Sequence, residues 1–172
     1  MPVGRGDREP DAALVISAAR AAGLTIATAE SLTGGLVSGA LTAVPGASEA
    51  FVGGVVAYDV GVKVGMLGVG EDLLKAKGPV SEEVALAMAE GVRVALGADV
   101  AVATTGVAGP DVHGGRPPGT VCIAAVGEGR RVSRTLTIRG DREAVRREAV
   151  AGAIVALVTI LHPDGTGGTT VE

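Results

Sequence analysis

Three stretches of the 172-residue sequence carry side chains able to do chemistry. The first is Thr28-Ala29-Glu30-Ser31-Leu32-Thr33-Gly34-Gly35, and the second is Thr104-Thr105-Gly106-Val107-Ala108-Gly109-Pro110. Each sets hydroxyls and glycines after an apolar, strand-like run, where backbone N–H groups can converge on a phosphate or a developing oxyanion. A tight strand-to-helix turn that merely needs glycine explains either one taken singly. The third is Tyr58-x4-Lys63, built on the only tyrosine of the chain. Its bland reading is a sheet-edge aromatic followed by a solvated helix lysine.

Several familiar chemistries are excluded by inspection. No GxxxxGK[ST] phosphate loop and no HExxH zinc pair occur. Ala29 and Thr33 stand where a GxSxG elbow around Ser31 requires glycine. His113 sits in a glycine-rich loop and His162 close to the C-terminus, so neither suits a Ser-His-Asp triad. Two histidines and one cysteine leave no zinc signature, and no metal or cofactor is expected. What remains is a serine that needs a base other than imidazole. Lysine serves if its pKa falls from about 10.4 to roughly 7–8. Such a drop corresponds to about 4 kcal/mol, within reach of partial burial and a neighbouring dipole. A phenol can relay a proton or donate to a substrate, so the choice of base between Lys63 and Tyr58 stays open at this level.

The elements that must position these groups follow from apolar periodicity. Helices are predicted over 12–22, capped by Asp11 and ended by Gly23, and over 35–43, 60–67, 71–77, 82–96 and 142–161, with Ser81 and Asp141 capping the last two. Strands are predicted over 24–29, 51–58 and 99–104, with a hairpin of 119–126 and 131–139. A long Gly/Pro loop spans 105–118. Strands alternating with helices imply a layered α/β fold, and the hairpin makes the sheet mixed. In such folds the ligand crevice lies at the carboxyl ends of the strands, where the first two stretches fall. One domain over 1–161 is expected, with 162–172 a disordered tail.

Composition narrows the partners. The apolar set holds 29 Ala and 27 Val against one Phe, one Tyr and no Trp, so the core must be built from small side chains. Small faces that pack closely also make a homo-oligomer the expected assembly. The formal net charge is −4, and the Arg-rich segment 139–147 is interleaved with acids, which argues against a nucleic-acid surface. No run of 18 apolar residues and no apolar signal core appear, so the expectation is a cytoplasmic protein without a membrane partner. Cys122 lies in the apolar run VCIAAV and reads as a buried, inert thiol.

Taken in order, TAESLTGG (28–35), VPGAS (44–48), GGVVAYDVGVK (53–63), LGV (67–69), GPVSEEVALAMAEG (78–91), TTGVAGPD (104–111), PPGTV (117–121) and GDREAVR (140–146) resemble the CinA C-terminal domain family over about 12–161. Stand-alone members of that family act as nicotinamide-nucleotide amidohydrolases. The resemblance implies a three-layer α/β/α sandwich and hydrolysis of the carboxamide of nicotinamide mononucleotide (NMN) to nicotinate mononucleotide and ammonia. It implies a metal-free site with Ser31 as nucleophile and Tyr58 and Lys63 assisting proton transfer. The substrate would lie against Glu30, Thr33, Gly34, Gly35, Thr105, Gly106 and Gly109, the oxyanion against amides near 33–35, and an anionic group against Arg142. Three departures stand out. Leu32 replaces the cysteine that usually follows the serine, Asp59-Val60-Gly61-Val62 replaces a polar segment, and the loop 112–116 differs and carries His113. Many relatives also carry an N-terminal domain resembling molybdopterin-biosynthesis proteins, which this sequence lacks. The alternatives are a non-catalytic nucleotide-binding module of the same fold and an interaction protein with an ancestral pocket.

Overall fold

The computed structural model describes residues 11–127 and 129–162. The expected tail lies outside the described residues except for His162, whose N–H closes the last helix on the Val158 carbonyl. The elements run α1 (Ala12–Ala22), β1 (Ile26–Glu30), α2 (Leu36–Thr42), a 3-10 turn (Ala47–Glu49), β2 (Phe51–Val56), α3 (Val60–Leu67), α4 (Glu71–Lys77), α5 (Glu82–Leu96), β3 (Val100–Gly106), β4 (Thr120–Gly127), β5 (Arg130–Thr137) and α6 (Arg142–Leu161). Local chemistry sets most of the boundaries. The Asp11, Asp59, Ser81 and Asp141 side chains each accept from an N–H of the first helical turn. Gly23, Gly68 and Gly97 close α1, α3 and α5 in the left-handed conformation.

The five strands form one sheet in the order β2-β1-β3-β4-β5. β2, β1 and β3 are parallel, while β4 runs antiparallel to both β3 and β5. The expected α/β sandwich with a mixed sheet is therefore what forms. Helices α1, α2 and α6 cover one face, whose buried side chains include Ile26, Val100, Val102 and Ile123. Helices α3 and α5 cover the other, where the strands present Ala27, Ala29, Ala101, Ala103 and Ala124. A period of two sorts the branched residues to one face and the alanines to the other. The alanine face lets α5 lie close to the sheet, and Val84, Met88 and Val92 fill the gap.

Two boundaries differ from expectation in ways that touch the site. β3 continues through Thr105 and Gly106, which the sequence alone assigns to a loop. They pair with Cys122 and Val121 of β4, a strand that periodicity predicts but whose pairing with β3 it does not reveal. β2 stops at Val56, two residues before Tyr58, because its partner β1 ends at Glu30. The turn Ala47–Glu49 was not anticipated.

Gly91 shows how closely the second layer packs: a methyl group there would run into the Leu67 carbonyl at the end of α3. Gly65, on the exposed side of α3, has open space around its Cβ position. Gly91→Ala is therefore expected to destabilise the fold by about 2 kcal/mol, despite removing a helix glycine. Gly65→Ala should stabilise it by about 0.5–1 kcal/mol. Urea denaturation of the two variants beside the parent protein checks both signs.

Candidate active site

The parallel strands deliver β1 and β2 to the same edge of the sheet, and the turns beyond them build a site. β1 ends on Glu30, which is 1% exposed. Its carboxylate does not face a ligand. It accepts from the Gly35, Val37 and Ser38 N–H groups and from the Ser38 hydroxyl, at 2.7–3.0 Å. A carboxylate has room for about four donors, so these fill it. The charge also lies at the positive end of α2. Glu30, expected against the substrate, caps α2 and fixes the turn over which Ser31 is displayed. The Thr33 side chain and the Gly34 and Gly35 amides, expected beside the substrate, are tied into the same turn. The Thr33 hydroxyl pairs with that of Thr104 at 2.8 Å, and the Gly34 N–H closes the turn on the Ser31 carbonyl. Gly35 takes φ 100°, a conformation open to glycine, as α2 begins. None of the four lines the cavity described below. The Gly34 and Gly35 amides expected to hold an oxyanion are committed within the turn. The N–H groups of Leu32 and Thr33 make no hydrogen bond among the described residues.

Lys63, in the middle of α3, is 2% exposed. Its Nζ donates to Ser31 Oγ at 3.1 Å and to the Ala57 carbonyl at 2.7 Å. Two of the three ammonium protons are thereby placed. Burial makes the charged form costly and pushes the lysine down to about 8, against a smaller upward pull from the Asp59 carboxylate. Near neutral pH an appreciable fraction of the amine is therefore neutral. In that state the contact reverses, and the Ser31 hydroxyl can donate to the nitrogen lone pair. Ser31 itself is 8% exposed and opens onto a cavity of about 310 Å³.

That cavity gathers most of the remaining candidates. Ser31, Tyr58, Lys63, Thr105, Gly106, Gly109 and Arg142 all line it. The Thr105 hydroxyl donates to the Pro79 carbonyl at 2.7 Å. Tyr58 is 63% exposed, and its phenol accepts from Arg142 at 3.1 Å. Of the two candidate bases left open by the sequence, Lys63 reaches Ser31 directly, and Tyr58 stands at the rim. Arg142 also donates to the Gly109 carbonyl at 2.9 Å, tying the loop after β3 to the loop after β2.

Arg146, Asp111 and His113 were given no site role in the sequence reading. Arg146, one helical turn beyond Arg142, donates to the Leu32 and Thr33 carbonyls at 2.9 and 3.2 Å. In a trans peptide the carbonyl and the following N–H point oppositely, so this grip turns the Thr33 N–H away from Arg146. The i, i+4 spacing of the two arginines was the available signal. His113 and Asp111 also line the cavity mouth; only their place in a long Gly/Pro loop hinted at this. Among the described residues no cluster of three metal-ligating side chains is present, and no helix is long and apolar enough to cross a membrane.

A mixed five-strand sheet between helices, with an amine held against a hydroxyl at its strand ends, defines the class of protein. Residues 8–161 match the CinA C-terminal domain model, and the chain belongs to that family. A CinA-like protein of Frankia casuarinae is 52% identical over 130 residues, covering 76% of this chain and 30% of the relative. The chain spans about a third of the length of the curated relatives it matches. The crystal structure of the competence/damage inducible protein CihA from Agrobacterium tumefaciens is 36% identical, with a TM-score of 0.85 over 93% of this chain and 99% of that one. A CinA superfamily protein from Escherichia coli is 31% identical, with a TM-score of 0.86 over 92% and 94% of the two chains.

Because burial dominates the behaviour of Lys63, its titration is the direct check on this geometry. In proton–nitrogen spectra of protein labelled at the lysine side chains, one signal is expected to titrate near pH 8. That signal should be missing from Lys63→Gln. An Nζ that instead titrates near the ordinary value of about 10.4 would mean the amine is solvated and not seated against Ser31.

Proposed function

We propose that this domain is a serine amidohydrolase that converts NMN and water to nicotinate mononucleotide and ammonia. The observation that carries the reading is the buried contact between Lys63 Nζ and Ser31 Oγ. The choice of NMN rests on the motif resemblance, and a cavity of about 310 Å³ is within the range of small-ligand sites.

The neutral amine of Lys63 takes the proton of Ser31 Oγ as the oxygen attacks the carboxamide carbon. The carbonyl oxygen becomes an oxyanion, for which the uncommitted N–H groups of Leu32 and Thr33 are the donors nearest in sequence. Each well-placed donor is worth about 3–4 kcal/mol in the transition state. The Lys63 ammonium then returns its proton to the departing nitrogen, the C–N bond breaks and ammonia leaves. Water, deprotonated by the same amine, attacks the ester, and its proton passes through Lys63 back to Ser31. Atoms balance with protein groups alone. Arg142 and Tyr58 act at the rim by holding the substrate.

The free enzyme works only with Lys63 neutral. The logarithm of kcat/KM should therefore rise with pH up to about 8 and level off above it. Ammonia release from NMN should fall by at least about a thousandfold in Ser31→Ala and in Lys63→Met. A Ser31→Ala variant with the parental rate would overturn the reading. Tight calorimetric binding of NMN by the parent protein without any ammonia would make it a binding module instead.

A further inference from the structure

When protonated, Lys63 holds a positive charge out of water, and both groups that it touches are neutral. Its Nζ donates to Ser31 Oγ and to the Ala57 carbonyl, and the third ammonium proton has no partner among the described residues. A buried cation is costly unless a carboxylate offsets it.

The acids on the elements around Lys63 are nearly all engaged elsewhere. Glu30, at the end of β1, is filled by donors from α2. On α5, which packs against α3, Glu82 accepts from the Ser133 and Thr135 hydroxyls, Glu83 pairs with Lys77 and Glu90 with Arg93, each pair at 2.7 Å. On α4, Glu71 faces Lys75 at 3.7 Å and Asp72 is exposed. Tyr58, Asp111, His113 and Arg142 border the cavity, and Arg116 lies in a separate pocket with Glu82 and Glu83.

Asp59 differs from all of these. It caps α3: its Oδ1 accepts from the Gly61 N–H at 2.7 Å, and its carbonyl accepts from the Val62 and Lys63 N–H groups at 3.2 and 3.3 Å. These bonds fix the carboxylate one turn before Lys63. An acid four residues ahead of a lysine is the favourable order of an i, i+4 pair. The two groups make no contact ion pair, so the attraction acts through space. Burial lowers the proton affinity of the amine, and among the described charges Asp59 alone pulls it back up.

We propose that Asp59 is a positioning residue that acts through Lys63: its carboxylate is the counter-charge that favours the buried ammonium, and it thereby sets the pH range over which the lysine passes from acid to base. The kinetic consequence rests on the amidase reading, whereas the titration does not. In that reading Lys63 takes the Ser31 proton and must hold it until the departing nitrogen needs it. A counter-charge fixed at the head of the same helix favours the form that holds it. Removing the carboxylate removes support for the ammonium, so Lys63 should then lose its proton at lower pH.

Asp59→Asn and Asp59→Ser keep a capping acceptor and lose the charge, while Asp59→Ala loses both. In proton–nitrogen spectra the midpoint of the Lys63 signal should fall by about 0.2–0.4 pH unit in all three, the size expected of a partly screened i, i+4 pair. Urea denaturation should show a loss of stability in Asp59→Ala beyond that of Asp59→Asn. The rise of kcat/KM for NMN with pH should move down by the same 0.2–0.4 unit as the midpoint in Asp59→Asn. A midpoint that is unchanged or raised in Asp59→Asn, or that falls only in Asp59→Ala, makes Asp59 a helix cap alone and overturns the proposal. An ammonia-releasing enzyme whose pH profile ignores Asp59→Asn does the same. A protein in which the Lys63 midpoint falls as expected, but which frees no ammonia from NMN, refutes the amidase reading and leaves the counter-charge standing.

Discussion

Holding an ammonium group out of water beside a serine hydroxyl is the demand around which this domain is organised. Left to itself, a buried lysine neutralises or escapes to the surface. Lys63 does neither fully. The Ala57 carbonyl and the Ser31 hydroxyl receive two of its protons, while burial lowers its proton affinity to about 8. The two partners belong to different turns, one after β1 and one after β2. They meet because the two strands are parallel neighbours and end together, with Glu30 opposite Val56. The Ala57 N–H in turn bonds the Glu30 carbonyl, which locks the two strand ends at the point where the chain leaves the sheet.

The turn that carries Ser31 needs support of its own. Its backbone is held from below by the Glu30 carboxylate on the first amides of α2 and from the side by the Arg146 guanidinium on two carbonyls. These are hydrogen bonds to charged groups in partly buried positions, each worth about 1.5–3 kcal/mol. Between them they hold five residues of the segment 32–38, two by their carbonyls and three by their amides. The result is a rigid mount for a side chain that must stay within reach of an amine on another helix.

The scarcity of aromatics has a structural counterpart. Alanines on one sheet face and the bare Cα of Gly91 let α5 and α3 sit close, and this closeness buries the α3 lysine. Bulkier residues at Ala27 or Ala101 would lift α5, and with it the packing that keeps α3 in place. The small-residue core and the lowered lysine are thus two aspects of one packing solution. Thr105 illustrates the same economy on the sheet: as the penultimate residue of β3, it lines the cavity and tethers Pro79.

Much of this was legible along the chain. Caps at Asp11, Ser81 and Asp141 and stops at Gly23 and Gly97 are local chemistry, so the bounds of α1 and α5 and the start of α6 could be read directly. The alternation of elements, the mixed sheet and the candidate trio of Ser31, Tyr58 and Lys63 were equally readable, because residue type and spacing carry them. Partnership was not. That Glu30 caps a helix, that Tyr58 pairs with Arg142, that β3 extends through Gly106 and that Arg146 grips the Ser31 turn all depend on groups between 5 and 114 positions away. Short-range periodicity determines which segments form and which face each buries. Which polar groups then satisfy one another is decided when those segments pack, since a hydrogen bond answers to distance and angle in space, whatever the separation in sequence.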